Sequence, residues 1–213
     1  MILNSTTTGD GPDLFLLHGL FGAGKNLGAI ARGLATEFRV ISLDLRNHGA
    51  SGHAPDMRYA AMAADLTETM DSLGIGDAVV VGHSMGGKTA MMAALMAPER
   101  VSALVAMDIA PIAYGHDYDS YLAAMRALPL RPGLSRHEAD AALADAAPDP
   151  AMRAFLLNNL ILAPEPHWRL GLAEIAGAMA DLIDWHDPAP LAPYDGPALF
   201  LHGGTSPYVP ASA

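Results

Sequence analysis

The sequence predicts an α/β domain built on a doubly wound, mostly parallel sheet, with a helical insertion before its last strand. Three observations carry this. Four short and nearly unbroken apolar runs punctuate the first half of the chain, "LFLLHG" (14–19), "RVISLDLRNHG" (39–49), "AVVVGHS" (78–84) and "ALVAMD" (103–108). Hydrophobicity without alternation marks parallel strands covered on both faces. Helical patterns fill the intervals near 26–36, 59–73 and 86–97, and strand alternating with helix makes βαβ units. A fifth run, "PALFLHGG" (197–204), arrives only near the end.

The alternation stops between residues 112 and 190. Here the pattern is helical throughout, with proline at 129, 132, 148, 150, 164 and 166 separating the pieces. Ser135 followed by Glu138 fits a capping box at the start of one helix, and "AALADAA" (141–147) reads as helix rather than linker. An insertion at this place sits above the C-terminal ends of the strands, where open α/β sheets bind ligands. We therefore expect a single domain over 1–213, with a core of 1–111 and 191–213 and a helical cap of 112–190.

Composition narrows the function. Of the 213 residues 51% are hydrophobic and 16% charged, which excludes a disordered chain. The net charge of −11 comes without any basic block, so nucleic acid is not an expected partner. No apolar run reaches membrane-spanning length, and the opening "MILNSTTTGDGP" lacks a basic region and an apolar signal core. A soluble, cytoplasmic protein is expected. The chain has no cysteine, which excludes disulfides, thiolate metal sites and a cysteine nucleophile.

The chemistry concentrates in "VVVGHSMGGKTA" (80–91). A Gly-x-Ser-x-Gly motif is weak evidence alone, but this one follows an apolar strand and opens a helix, the setting of a nucleophile elbow. Ser84 is the candidate nucleophile, with the helix N-terminus behind it to support negative charge on an acyl oxygen. The bland alternative is a glycine-rich turn with an incidental serine. An oxyanion hole needs two backbone N–H groups: Met85 follows the serine, and the loop "HGLFGAGKN" (18–26) offers Leu20, with Phe21 as an alternative. That loop superficially matches a phosphate-binding Gly-x-x-x-x-Gly-Lys-Ser/Thr, but Asn26 stands where the metal-binding hydroxyl belongs.

Asp108 ends the fourth run, one strand from Ser84, and is the candidate acid; its bland alternative is a loop carboxylate capping the next turn. "FLHGGTSPYV" carries no carboxylate. None of the nine histidines is a good base. His18 and His48 lie in turns and read as loop organisers, and His83 reads as pointing away from Ser84. His53, His116, His137, His167 and His186 read as exposed, and His202 ends the fifth run as a poor candidate. Tyr114, Tyr118, Tyr121, Phe155, Trp168 and Trp185 could line an acyl pocket, though aromatic residues at helical spacing are more often plain core. The only two lysines, Lys25 and Lys88, flank the two motifs; they either meet an anionic group such as a CoA phosphate or lie on the surface by accident, and we favour accident.

Taken together, "HGLFGAGKNLG", "ISLDLRNHGASG", "MAADLTETMDSLG", "VVVGHSMGGKTAMM", "LVAMDIAPIAY" and "LFLHGGTSPYV" resemble the α/β-hydrolase family, and within it the bacterial YbfF-type esterases. The resemblance runs over nearly the whole chain and is weakest in the cap. It implies an α/β-hydrolase fold of eight strands with a helical cap and a Ser-His-Asp mechanism without cofactor or metal. It also implies a carboxylesterase or thioesterase acting on a small-molecule ester of short to medium chain, with acyl-CoA thioesters as an extension. Carried over, Ser84 is the nucleophile, Asp108 the acid, and Leu20 and Met85 the oxyanion donors. The family's last strand, catalytic histidine and final helix have no counterpart in the 213 residues, so a base is expected to be absent from this chain and the sheet edge to be bare. Two other readings stay open: a hydrolase-fold protein without catalysis, and C–C bond hydrolysis or haloperoxidase-like chemistry on the same scaffold. Oligomeric state is also open, a homo-oligomer included.

Overall fold

We describe a computed structural model of the protein over residues 1–115, 118–185, 191–206 and 208–209. The core is a six-stranded sheet. In chain order its strands are β1 (Ser5–Thr8), β2 (Asp13–Leu17), β3 (Arg39–Leu43), β4 (Ala78–His83), β5 (Val101–Met107) and β8 (Ala198–Leu201). Their spatial order is β1-β3-β2-β4-β5-β8, with β1 antiparallel to β3 and every other pairing parallel. The five apolar runs are thus the five parallel strands. The edge strand β1 has no apolar pattern; the three threonines of "STTT" are β-branched but exposed, and only pairing with β3 makes it a strand.

The unbroken hydrophobicity has the expected cause. Phe15 and Leu17 of β2 point into the larger cluster with Ile41, Leu43 and Val80, while Leu14 and Leu16 point to the opposite face with Val40 and Val81. Both faces of the central strands are therefore dry. Helix α1 (Gly28–Leu34), entered through a short 3-10 turn at Gly24–Leu27, covers the smaller cluster. Helices α2 (Tyr59–Ser72) and α3 (Met85–Met96) cover the larger one, and α3 buries ten of its twelve residues between α2 and the sheet.

Between β5 and β8 the chain forms α4 (Asp119–Ala127), α5 (Arg136–Ala142), α6 (Pro150–Leu157), α7 (Leu172–Gly177) and α8 (Met179–Ile183). The capping box is present: the Ser135 hydroxyl accepts from the Glu138 amide, and the Glu138 carboxylate accepts from the Ser135 amide. Two expectations need correction. Helix α5 stops at Ala142 instead of running through "AALADAA"; turns carry Leu143 and Ala147 into the core, and Pro148 disfavours helical backbone at the residue before it. The segment is also not helical throughout, because β6 (Leu160–Ile161) and β7 (His167–Trp168) pair antiparallel around the proline-rich turn.

The sheet's last strand is poorly covered. All four residues of β8 are exposed, with Leu199, Phe200 and Leu201 each about half accessible at 50%, 47% and 49%. Among the described residues no strand pairs with its outer edge and no helix follows it.

Candidate active site

Ser84 sits between the last residue of β4 and the first of α3, with φ 52° and ψ −119°. The backbone there is in a region that a non-glycine residue occupies only when its surroundings force it. Those surroundings are close. A Cβ on Gly82 would lie 2.1 Å from the Gly86 carbonyl oxygen, and one on Gly86 would lie 2.5 Å from the Leu17 carbonyl oxygen. The two glycines of the motif are thus where strand, turn and helix touch backbone to backbone. The Ser84 amide donates to the Met107 carbonyl at 2.9 Å, and the Ser84 carbonyl accepts from Gly87 and Lys88 at 2.8 and 3.1 Å, starting the helix.

Asp108 leaves β5 with a positive φ of its own, 56°. Its amide donates to the Leu201 carbonyl at 2.7 Å and its Oδ1 accepts from the Gly203 amide at 3.2 Å. The carboxylate is therefore held between the ends of β5 and β8, beside the strand that ends at Ser84.

The loop after β2 arrives from the other side. A Cβ on Gly19 would stand 3.2 Å from the Ser84 Cβ, so backbone and serine are in contact. Phe21 has φ 60° and is buried; its amide donates to His48 Nε2 at 3.2 Å. That bond removes Phe21 from the two alternatives for an oxyanion donor. Among the described residues, neither the Leu20 nor the Met85 amide enters a hydrogen bond within the protein. The loop is not shaped for phosphate: the Gly24 amide donates to the Asp44 carboxylate at 2.8 Å, and Asn26 Oδ1 caps the Ala23 amide at 2.7 Å. Asp44 also accepts from the Ala50 amide and from Asn4. Burial works against its charge, but these donors outweigh it and hold its carboxyl below the ordinary value.

His18 and His48 organise this loop. His18 accepts from the Leu45 amide at Nε2 (2.9 Å) and its Nδ1 donates to the Gly19 carbonyl at 2.8 Å. His48 binds the Phe21 amide at Nε2 and donates from Nδ1 to the Arg46 carbonyl. Burial pushes His18 down to about 4 and His48, with His18 beside it, down to about 3. Both are neutral with both nitrogens engaged, so neither is available as a base.

His83 is half-buried with its Nδ1 next to Gly19, and burial lowers its pKa against the pull of Asp108. It contributes to the same cavity as Ser84. His53, His137, His167 and His202 are exposed, and His202 Nδ1 bonds to the Gly203 carbonyl. His116 and His186 lie outside the described residues. No described histidine is hydrogen-bonded to Ser84 or Asp108.

Ser84, Asp108 and the 18–22 loop line one cavity of about 410 Å³. The insertion supplies Tyr118, Met152 and Phe155 to its wall, and Tyr208 comes from beyond β8. Of the aromatic residues singled out from sequence, Tyr118 and Phe155 are in this wall; Tyr114, Tyr121, Trp168 and Trp185 pack against the core, where Trp168 Nε1 donates to the Met125 carbonyl. Met152, Tyr208 and Leu27 were not legible as lining residues, because nothing in their local sequence distinguishes them. The insertion is fastened over the loop by Asn159, whose Nδ2 donates to the Phe21 carbonyl at 2.8 Å, and by the Gly171 amide on the Asn47 carbonyl. The two lysines part company here. Lys25 reaches the Asn158 carbonyl at 3.2 Å from an exposed position, whereas Lys88 is wholly buried, so a surface accident is the wrong account of it.

A serine on a strained strand-to-helix turn, sharing one cavity with a carboxylate and a glycine loop, is the arrangement of a hydrolase-type scaffold, and comparison agrees. A family model described as alpha/beta hydrolase fold matches residues 12–213, and the chain belongs to the α/β-hydrolase family. The sn-1-specific diacylglycerol lipase ABHD11 of Xenopus tropicalis is 42% identical over 208 residues, covering 93% of this chain and 65% of that protein. Esterase YbfF of Escherichia coli K12 is 37% identical over 197 residues, covering 92% of this chain and 75% of its own length. A solved structure of a marine microorganism esterase superposes with a TM-score of 0.93 at 32% identity, over 99% of this chain and 84% of that one. The chain thus spans just under two thirds of the first of these relatives. Among the described residues, no helix is long and apolar enough to cross a membrane.

Proposed function

We propose that the protein is a serine hydrolase of carboxylic esters, in which the Ser84 hydroxyl attacks the ester carbonyl and forms an acyl-enzyme. The observation that carries this reading is the placement of Ser84. It stands at positive φ and lines the cavity, Met85 follows it in the chain, Leu20 lines the same cavity, and the Leu20 and Met85 amides have no partner within the protein among the described residues. An oxyanion forming at the carbonyl would meet two N–H donors that need no reorganisation. Asp108 is the acid that would orient a base, and water would release the acyl group in the second half-reaction. The insertion over 112–190 acts as a cap whose Tyr118, Met152 and Phe155 hold the acyl chain. Relatives named as esterase and diacylglycerol lipase support an ester substrate with an apolar acyl group, and thioesters present the same carbonyl to the same donors.

The geometry of the histidines favours one second reading, a hydrolase-fold binding protein without turnover, because no described imidazole reaches Ser84. Hydrolysis of p-nitrophenyl butyrate and octanoate decides between them, run on the 213-residue chain and on any longer product of its gene. The enzyme reading expects turnover that Ser84→Ala reduces by about 10³-fold or more, with a fluorophosphonate labelling Ser84. Turnover that survives Ser84→Ala sinks the nucleophile, and a folded protein that neither turns over nor labels favours the binding protein.

A further inference from the structure

Lys88 lies one helical turn beyond Ser84 on α3 and exposes no surface to solvent. A buried ammonium is costly unless its donors are taken, so its partners explain its presence. Its Nζ donates to the Ile112 carbonyl and to the Asp184 carbonyl, each at 2.8 Å. The rings of Tyr114 and Tyr59 stand 4.5 and 5.6 Å away, where an aromatic face attracts a cation. Burial lowers its pKa to about 8 against the opposing pull of Asp184, so the ammonium persists at neutral pH.

The two carbonyls are far apart in the chain but functionally paired. Ile112 lies just after β5, where the insertion begins. Asp184 follows α8, the last described helix of the insertion, near its other end. The same end of α8 is held by two further donors, the Tyr59 hydroxyl on the Leu182 carbonyl at 2.6 Å and the Tyr114 amide on the Ile183 carbonyl at 3.0 Å. Carbonyls at a helix C-terminus have no partner within the helix, and these three donors, from α2, α3 and the start of the insertion, engage three consecutive ones at the end of α8.

We propose that Lys88 is a positioning residue that clamps both ends of the insertion to the helix beginning at Ser84, and thereby sets how the acyl-pocket residues sit over the serine. The effect on acyl binding rests on the esterase reading above; the clamp itself does not. Methionine would fill the same space without donors, and arginine would keep them.

The test is amide hydrogen exchange on Lys88→Met and Lys88→Arg, read beside ester kinetics. In Lys88→Met, exchange over 109–115 and 179–185 speeds up together, about tenfold or more, while β2 and β4 keep their protection. KM for p-nitrophenyl octanoate rises about fivefold with kcat within twofold, and Lys88→Arg recovers most of both. Unchanged exchange at the two ends overturns the clamp, as does equal acceleration in the strands. If Lys88→Met does not fold, the wild type decides. The sequence has only Lys25 and Lys88, so a chain labelled with ¹⁵N-lysine gives two ammonium signals. One must be shielded from solvent exchange and coupled through hydrogen bonds to the carbonyls of Ile112 and Asp184. Its absence refutes the proposal. A wild type that hydrolyses no ester counts against the esterase reading alone, because exchange and the ammonium signal still report the clamp.

Discussion

Among the described residues four that are not glycine, Phe21, Asn47, Ser84 and Asp108, have positive φ, and three of them line the candidate cavity. Each such backbone costs on the order of 1–3 kcal/mol, so the surrounding contacts must hold it. Gly82 and Gly86 make the tightest of these contacts around Ser84, and Gly86 is the one that faces the loop after β2. Gly86→Ala would push a Cβ to within 2.5 and 2.6 Å of the Leu17 and His18 carbonyl oxygens, and we expect it to destabilise the protein by roughly 2–4 kcal/mol in urea unfolding. The two buried histidines give a pH signature. Unfolded imidazole protonates near 6.5, whereas His18 stays neutral to about 4 and His48 to about 3. Between those values the unfolded chain binds more protons, so stability that is complete above pH 6.5 is lost as pH falls toward 4. Urea midpoints measured from pH 7 to 4 should fall steadily, and His48→Gln should flatten the decline.

At the scale of elements, the insertion and the core loop are joined by few bonds, and each counts. Asn159 is buried and its amide is the donor for the Phe21 carbonyl. Asn159→Ala leaves that carbonyl unpaired beside a strained backbone, and we expect a loss of about 1–3 kcal/mol, with faster amide exchange in 19–24 than in β4. The capping box of α5 bonds within the insertion and, among the described residues, makes no bond to the core loop. Ser135→Ala should cost about 1 kcal/mol and leave exchange in 19–24 unchanged. A change there would show that the insertion transmits strain to the loop.

At the scale of the whole fold, the weak point among the described residues of 1–213 is the outer edge of β8. Leu199, Phe200 and Leu201 are half exposed on a strand whose outer side has no partner among the described residues. An apolar open edge pairs with other chains, and the net charge of −11 opposes association only at low ionic strength. We expect sedimentation of residues 1–213 to show concentration-dependent association that grows with salt, and Phe200→Lys to reduce it. A monomer at all concentrations with one sharp melt would contradict this.

Five parallel strands, three helices and the serine turn were legible in the sequence because each is written locally. A short unbroken apolar run bounded by turn residues marks a buried strand, and glycines around Ser84 at the end of such a run mark a tight turn. The position of Asp108 just past a strand end was legible from the apolar run before it. Other features depend on partners distant in sequence, and local pattern carries no trace of them. β1 is a strand only through β3, Phe21 is ruled out as a donor only by His48, and the cavity wall needs Met152 and Tyr208 brought from remote segments. Lys88 shows the difference most clearly. In sequence it is one cation after a glycine motif, indistinguishable from a surface lysine. Its role follows from two carbonyls at opposite ends of the insertion, which only the folded chain brings to one buried nitrogen.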